Sequence, residues 1–161
     1  MLTKKEKSVV LVQGVVKGSL FDLLKKRKTT DIVVLEGRPN LEAARQSTKD
    51  LAKRKLIPTL IADNMAGVLF YKNLVKEVWL SYQLTDENGA LCDIGGLILA
   101  VLGKRHNIPV YIYPSGRKSK LLGVSGDILK FNGTRVAPAG VEGYVPLVEW
   151  VPQKYITKTY E

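Results

Sequence analysis

Residues 31–67 constrain the fold most, because there two apolar runs each stop at a small polar cluster that restarts the chain as a helix. Ile32-Val33-Val34-Leu35 leads into Glu36-Gly37-Arg38-Pro39-Asn40, and Thr59-Leu60-Ile61-Ala62 leads into Asp63-Asn64. Continuous β-branched runs mark strands buried on both faces of a parallel sheet, and parallel neighbours need a crossover that is usually a helix. The same unit precedes this stretch: Val9-Val10-Leu11-Val12 ends at Gln13-Gly14, and Lys17-Gly18-Ser19 then opens a helix spaced by Leu20, Leu23 and Leu24, with Ser19 as N-cap.

The rhythm continues toward the C-terminus. Asn40 caps a second helix to about Arg54 with Leu41, Ala44 and Leu51 facing inward, a third strand runs over residues 57–62, and Asp63 caps a short helix over residues 65–71. Residues 77–82 read as a fourth strand, and Asp86-Glu87-Asn88-Gly89 is turn chemistry. The longest helix starts around Cys92-Asp93 and Gly95-Gly96, carries Ile94, Leu97, Ile98, Val101 and Leu102 on one face, and closes at Lys104-Arg105-His106-Asn107. Residues 108–113 form a fifth strand with Pro109 at its entry. The expected architecture is α/β: a Rossmann-like, doubly wound, mostly parallel sheet with helices on both faces, in a single domain over residues 1–161. Residues 1–7 form a basic tail. Residues 114–161 form an irregular C-terminal segment, with a basic loop over 115–120, a glycine-rich hairpin or arm over 127–143, and short strands over 146–150 and 155–157.

Composition narrows the function classes. No apolar run approaches the roughly 20 residues that cross a bilayer, and the start lacks the apolar region of a secretory signal, so a cytoplasmic protein without a membrane partner is expected. One cysteine and one histidine give no zinc spacing, and no cofactor is implied. The net charge of +10 invites a nucleic-acid reading. Against specific nucleic-acid binding, residues 25–28 and 53–55 place their cations where helices end, and the tyrosines are not interleaved with them.

Ligands of an open parallel sheet bind beyond the carboxyl ends of its strands. Those ends gather Gln13, Gly14 and Lys17, then Glu36 and Arg38, Asp63 and Asn64, Gln83, and finally Ser115 and Arg117. Arg38 leads, since its planar fork can hold a phosphate or carboxylate; the alternative is an ion pair to Glu36 or Asp63 that fixes the loop. Gly14, Gly18 and Ser19, with Lys17, can cradle an anion, although neither a dinucleotide fingerprint nor a Walker loop is present. Asp63 can equally serve as a helix cap, Cys92 as an inert buried thiol rather than a nucleophile at a helix start, and His106 as a cap on the opposite rim.

Glu36-Gly37-Arg38-Pro39 followed by Asp63-Asn64-Met65-Ala66, together with Ile94-Gly95-Gly96-Leu97-Ile98 and Ile108-Pro109-Val110-Tyr111-Ile112, resembles the carboxyl-terminal domain of a known family. It contains the alpha, beta and delta regulatory subunits of initiation factor 2B, methylthioribose-1-phosphate isomerase and ribose-1,5-bisphosphate isomerase. The resemblance implies a Rossmann-like fold, dimers formed through this domain, and a pocket for a sugar phosphate or nucleoside monophosphate at the strand ends. It also implies departures. Gly14 and Gln83 stand where the isomerases carry a cysteine and an aspartate, and neither titrates. Cys92-Asp93 replaces the Asn-Lys pair that usually opens the long helix, and the helical domain that covers the family's pocket has no counterpart here.

The expectation is therefore a stand-alone, non-catalytic relative of the initiation-factor subunits, forming a homodimer or a hetero-oligomer with an initiation-factor-like partner and binding a phosphorylated small ligand. The alternative is an aldose-ketose isomerase with altered residues. The candidate ligand contacts are Gln13, Gly14, Lys17, Gly18, Ser19, Arg38, Asp63, Asn64, Gln83 and Asp93, with no catalytic residue and no metal ligand assigned.

Overall fold

The computed structural model describes residues 8–27 and 31–161, so the basic tail over 1–7 and Lys28 of the first basic run lie outside the described residues. The strands are β1 (Val9–Gln13), β2 (Asp31–Leu35), β3 (Thr59–Ile61), β4 (Val75–Asp86), β5 (Gly89–Asp93), β6 (Val110–Pro114), β7 (Lys130–Phe131), β8 (Thr134–Arg135), β9 (Val148–Pro152) and β10 (Lys158–Thr159). The α-helices are α1 (Asp22–Lys25), α2 (Thr48–Lys53), α3 (Ala66–Tyr71), α4 (Gly96–Arg105) and α5 (Ser125–Ile128).

The main sheet runs β10-β6-β4-β1-β2-β3, with every neighbouring pair parallel. Strand alternation splits its side chains between two cores. Val9, Leu11, Val33, Leu35, Val78 and Leu80 pack against α3 and α4 through Leu69, Phe70, Leu99 and Ala100. Val10, Val12, Ile32, Val34, Trp79 and Tyr113 pack on the other face against Phe21, Leu24 and Leu51. The fold is thus the expected Rossmann-like α/β sheet with helices on both faces. The order in which strands are added reverses between β1 and β4, because β2 and β3 extend to one side of β1 and β6 and β10 to the other side of β4. This is the topological switch point, where a crevice opens beyond the strands.

Several local expectations are corrected. The fourth strand does not stop at Tyr82. It continues to Asp86 and turns back as β5, which pairs antiparallel with both β4 and β9. Cys92 and Asp93 therefore end a strand instead of opening a helix, and α4 begins at Gly96. The buried side of α4 is Gly96, Leu99, Ala100 and Gly103, while Ile98 and Val101 face outward. Small residues won that face because they let the helix approach the sheet: a Cβ on Gly103 would lie 2.5 Å from Val110 Cγ2.

In the second helix the inward positions are Ala43, Ser47 and Leu51, a spacing of four that suits the π-helical turn Ala43–Ser47, and Asn40 does not cap it. Leu41 lies outside the helix with a left-handed φ of 56°. Ser19 sits inside a 3₁₀ turn, Gly18–Phe21, with Lys17 at the N-cap position and no side-chain cap, and Phe21 takes the buried place expected of Leu23. Near the C-terminus a 3₁₀ turn covers Gln153–Tyr155, and the last strand is β10, pairing with β6. The glycine-rich stretch does contain a hairpin, β7 and β8, turned by Asn132 and Gly133.

Candidate functional site

A small cleft of about 40 Å³ lies at the switch point, floored by Gln13, Gly14 and Asp93 and walled by Arg38, Pro39 and Arg117. Its floor follows from topology. Beyond the end of β1 the β4–β5 hairpin carries on, and its last residue, Asp93, is delivered beside Gly14. The Asp93 carboxylate accepts from the Val15 backbone N–H at 3.1 Å, Ser81 Oγ at 2.9 Å, Gln83 Nε2 at 3.1 Å and Arg117 Nη2 at 3.1 Å. Arg117 also pairs with Glu42, so both acids near this floor are held by one guanidinium.

Gly14 meets this carboxylate directly. Its φ is +80°, and a Cβ there would sit 2.1 Å from Ser81 Oγ and 2.5 Å from Asp93 Oδ2. Only glycine combines that backbone with that space. Gln13 is buried, and its Nε2 donates to the Ile94 carbonyl while Oε1 has no partner.

Arg38 is brought to the mouth of the cleft by the loop after β2, and Asp63 fixes that loop by accepting the Gly37 and Arg38 backbone N–H groups at 2.9 and 2.8 Å. Asp63 thus secures a neighbouring loop and does not cap its own turn, where no side-chain cap is formed. The Arg38 guanidinium lies over the Phe131 ring, 4.8 Å from its centroid, and donates to the Lys130 carbonyl at 3.3 Å. The C-terminal hairpin therefore closes against the rim.

The sequence-derived residues divide accordingly. Gln13, Gly14, Arg38 and Asp93 share the cleft. Gln83 stands behind it, with Nε2 on Asp93 and Oε1 accepting from the Ser119 N–H at 2.6 Å. Lys17 and Gly18 line a second, larger hollow of about 510 Å³ with Arg45, Gln46 and Asp50, and the Arg117–Glu42 pair borders both spaces. Ser19 and Asn64 are exposed and line neither.

Two placements around the cleft were not assigned from the sequence. Arg117 stood among the strand-end residues but was not chosen as a contact, and its position on the floor depends on the path of the 115–120 loop. Glu149 in β9 accepts the Gly95 and Leu97 N–H groups at 2.7 and 2.9 Å, satisfying the start of α4 from a strand more than fifty residues away. No local signal marks either.

Cys92 is fully buried in β5, where burial, followed by the nearby charges of Asp93 and Glu149, pushes its thiol far above the ordinary range. A thiol so placed is not a nucleophile. Among the described residues no group of acids, histidines or cysteines could hold a metal ion, and no helix is long and apolar enough to cross a membrane.

Residues 5–159 match the initiation factor 2 subunit family. The chain belongs to that family. Methylthioribose-1-phosphate isomerase of Thermus thermophilus is 30% identical over 156 residues, covering 89% of this chain and 47% of the isomerase. The enzyme of the same name from Syntrophus aciditrophicus is 31% identical over 142 residues, covering 81% of this chain and 39% of its own. Among solved structures, translation initiation factor eIF-2B subunit delta from A. fulgidus superposes with a TM-score of 0.80 at 21% identity, covering 96% of this chain and 52% of that one. The 5-methylthioribose 1-phosphate isomerase of Pyrococcus horikoshii OT3 gives 0.80 at 24% identity, with coverage of 95% and 49%. These structures share the fold. The chain spans about half the length of the relatives it matches, or less.

Proposed function

We propose that this family member is non-catalytic, binds a sugar phosphate or nucleoside monophosphate at the carboxyl ends of the strands, across the cleft and the adjoining hollow, and acts in the cytoplasm through assembly or ligand sensing. The observation that carries this reading is the floor at Gly14. Where the resemblance puts the isomerases' cysteine, there is no room for any side chain, since Ser81 Oγ and Asp93 Oδ2 already occupy the space. Gln83 replaces the expected aspartate, and the acids that remain, Asp93 and Glu42, are held by Arg117. Groups that exchange protons in an isomerisation act as a unit, so the loss of two leaves little rate enhancement. Arg38 at the mouth and Lys17 in the adjoining hollow supply the cations for a phosphate.

Assembly as a homodimer, or with an initiation-factor-like partner, has support in the surface. The apolar residues of the C-terminal segment do not supply it, because Val145, Val148 and Val151 are buried within the fold. Instead α3 and α4, which touch one another, expose Val68, Tyr71, Ile98 and Val101. An apolar face of this kind suits a second copy. Light scattering is expected to give twice the chain mass, reduced to one by Ile98→Glu.

Thermal melts with ribose 5-phosphate, AMP and methylthioribose 1-phosphate test the ligand. At least one should raise the melting temperature, because a ligand that binds only the folded form stabilises it. None should be turned over. The competing reading, an isomerase with altered residues, is favoured by the relatives' names at 30% identity. Turnover of methylthioribose 1-phosphate that disappears in Asp93→Asn would establish it and end the non-catalytic reading.

A further inference from the structure

On the floor of the cleft, four donors from three separate segments meet at one carboxylate. Val15 N–H, Ser81 Oγ and Arg117 Nη2 reach Asp93 Oδ2 at 3.1, 2.9 and 3.1 Å, and Gln83 Nε2 reaches Oδ1 at 3.1 Å. A backbone N–H past a strand end, a hydroxyl, an amide and a guanidinium are the groups from which proteins build seats for oxyanions. We propose that this is an anion seat filled from within: the Asp93 carboxylate occupies it, turns phosphate away from the floor, and reserves the floor for an uncharged, hydroxyl-bearing part of a ligand.

The second observation is Gln13. It is 2% exposed and lines the cleft. Its Nε2 donates to the Ile94 carbonyl, which fixes the orientation of the amide and leaves Oε1 a buried acceptor with no donor. Arg117 Nε, also buried, is a donor with no acceptor. A fully ionised phosphate offers Gln13 no hydrogen and meets the like charge of Asp93, whereas hydroxyl groups supply both the donor and the acceptor that these atoms lack. A phosphorylated ligand would then enter with its hydroxyls down and its phosphate at the rim beside Arg38. The proposed function above is needed only to name that ligand; the seat stands without it.

Chemical rescue tests the seat. In the full chain, Asp93→Ala removes the carboxylate and keeps the donors. Inorganic phosphate and formate, each balanced against chloride at equal ionic strength, are expected to raise the melting temperature of Asp93→Ala well beyond that of the wild type, in which only the rim beside Arg38 is open to an anion. Phosphate affinity should rise about tenfold or more in the variant. If Asp93→Ala does not fold unaided, either anion in the refolding buffer should restore its circular dichroism. A wild type that responds to phosphate as strongly as the variant overturns the proposal. So does an Asp93→Ala protein that neither anion stabilises or restores. A wild type indifferent to ribose 5-phosphate, AMP and methylthioribose 1-phosphate alike, with anion rescue of Asp93→Ala intact, removes the ligand reading and supports the seat.

Discussion

The carboxylate of Asp63 holds the backbone N–H of Arg38 at 2.8 Å, tying the loop that follows β3 to the one that follows β2. With the Gly37 N–H on its other oxygen at 2.9 Å, Asp63 sets the direction in which Arg38 leaves the sheet. Removing it strands two partly buried donors, each of which costs about 1–3 kcal/mol when left unpaired. Asp63→Ala is therefore expected to lower unfolding free energy in urea by about 2 kcal/mol and to weaken any anion bound through Arg38. Asp63→Asn keeps one acceptor oxygen and should recover about half. Full stability in Asp63→Ala would refute this role.

Gly14 gives a second prediction. With φ at +80° and Ser81 Oγ and Asp93 Oδ2 inside any Cβ's contact distance, Gly14→Ala must both strain the backbone and push the carboxylate from its donors. A loss of about 3 kcal/mol or more is expected. The double variant Gly14→Ala with Asp93→Gly should lose less than the sum of the singles, since one of the colliding groups is gone. Strict additivity would mean that the strain lies in the backbone alone. Gly14→Cys should give no isomerase activity for the same steric reason.

The sheet was legible because its strands are β-branched runs at regular intervals, and the unbroken apolar character of β1 and β2 marked them as buried on both faces. What was not legible depends on partners distant in sequence. Nothing within residues 83–93 says that the hairpin passes beyond β1 and delivers Asp93 to Gly14, since Asp-Glu-Asn-Gly suits a helix-leading turn as well as a hairpin. The face of α4 was misread because hydrophobicity ranks Ile98 and Val101 above Gly96 and Gly103, whereas close packing favours the small residues. That Arg38 and Gly14 line the cleft was legible because loops beyond parallel strands converge at a crevice in this architecture. Glu149 and Arg117 were placed by long-range pairing that leaves no periodic trace.

Cys92 provides a direct reading of global unfolding. It is fully buried on β5, between β4 and β9, and its thiol is driven upward by burial, so the reactive thiolate is scarce and inaccessible in the native state. Labelling with a maleimide should be negligible in buffer and should follow the urea unfolding transition. Rapid labelling of native protein would show that β5 opens locally, and with it the floor that carries Asp93.

The aromatic wall opposite α4 predicts an alkaline limit to stability. Tyr113 is buried beside Trp79, with ring centroids 4.3 Å apart, and stacks on Tyr160 at 4.6 Å. Burial, then the negative charges available to Tyr160 and Glu77, raises its phenol above the usual value, with Arg27 opposing. Tyr82 is raised as well, by burial and then Glu161, and its hydroxyl donates to the Tyr160 carbonyl at 2.8 Å. A raised phenol means that the folded chain keeps its proton when the unfolded chain has lost it. Below the unfolded value of about 10 the stabilisation is complete, and above it the unfolded state binds fewer protons, so stability falls as pH climbs toward the folded values. Each such tyrosine can contribute a slope of up to about 1.4 kcal/mol per pH unit. Melting temperature should stay flat through neutral pH and drop above about pH 10, in step with tyrosinate absorbance. Tyr113→Phe should flatten the descent without moving the neutral plateau by more than about 1 kcal/mol, because the ring and its stacking remain. An unchanged descent in that variant would assign the alkaline transition to Tyr82 instead.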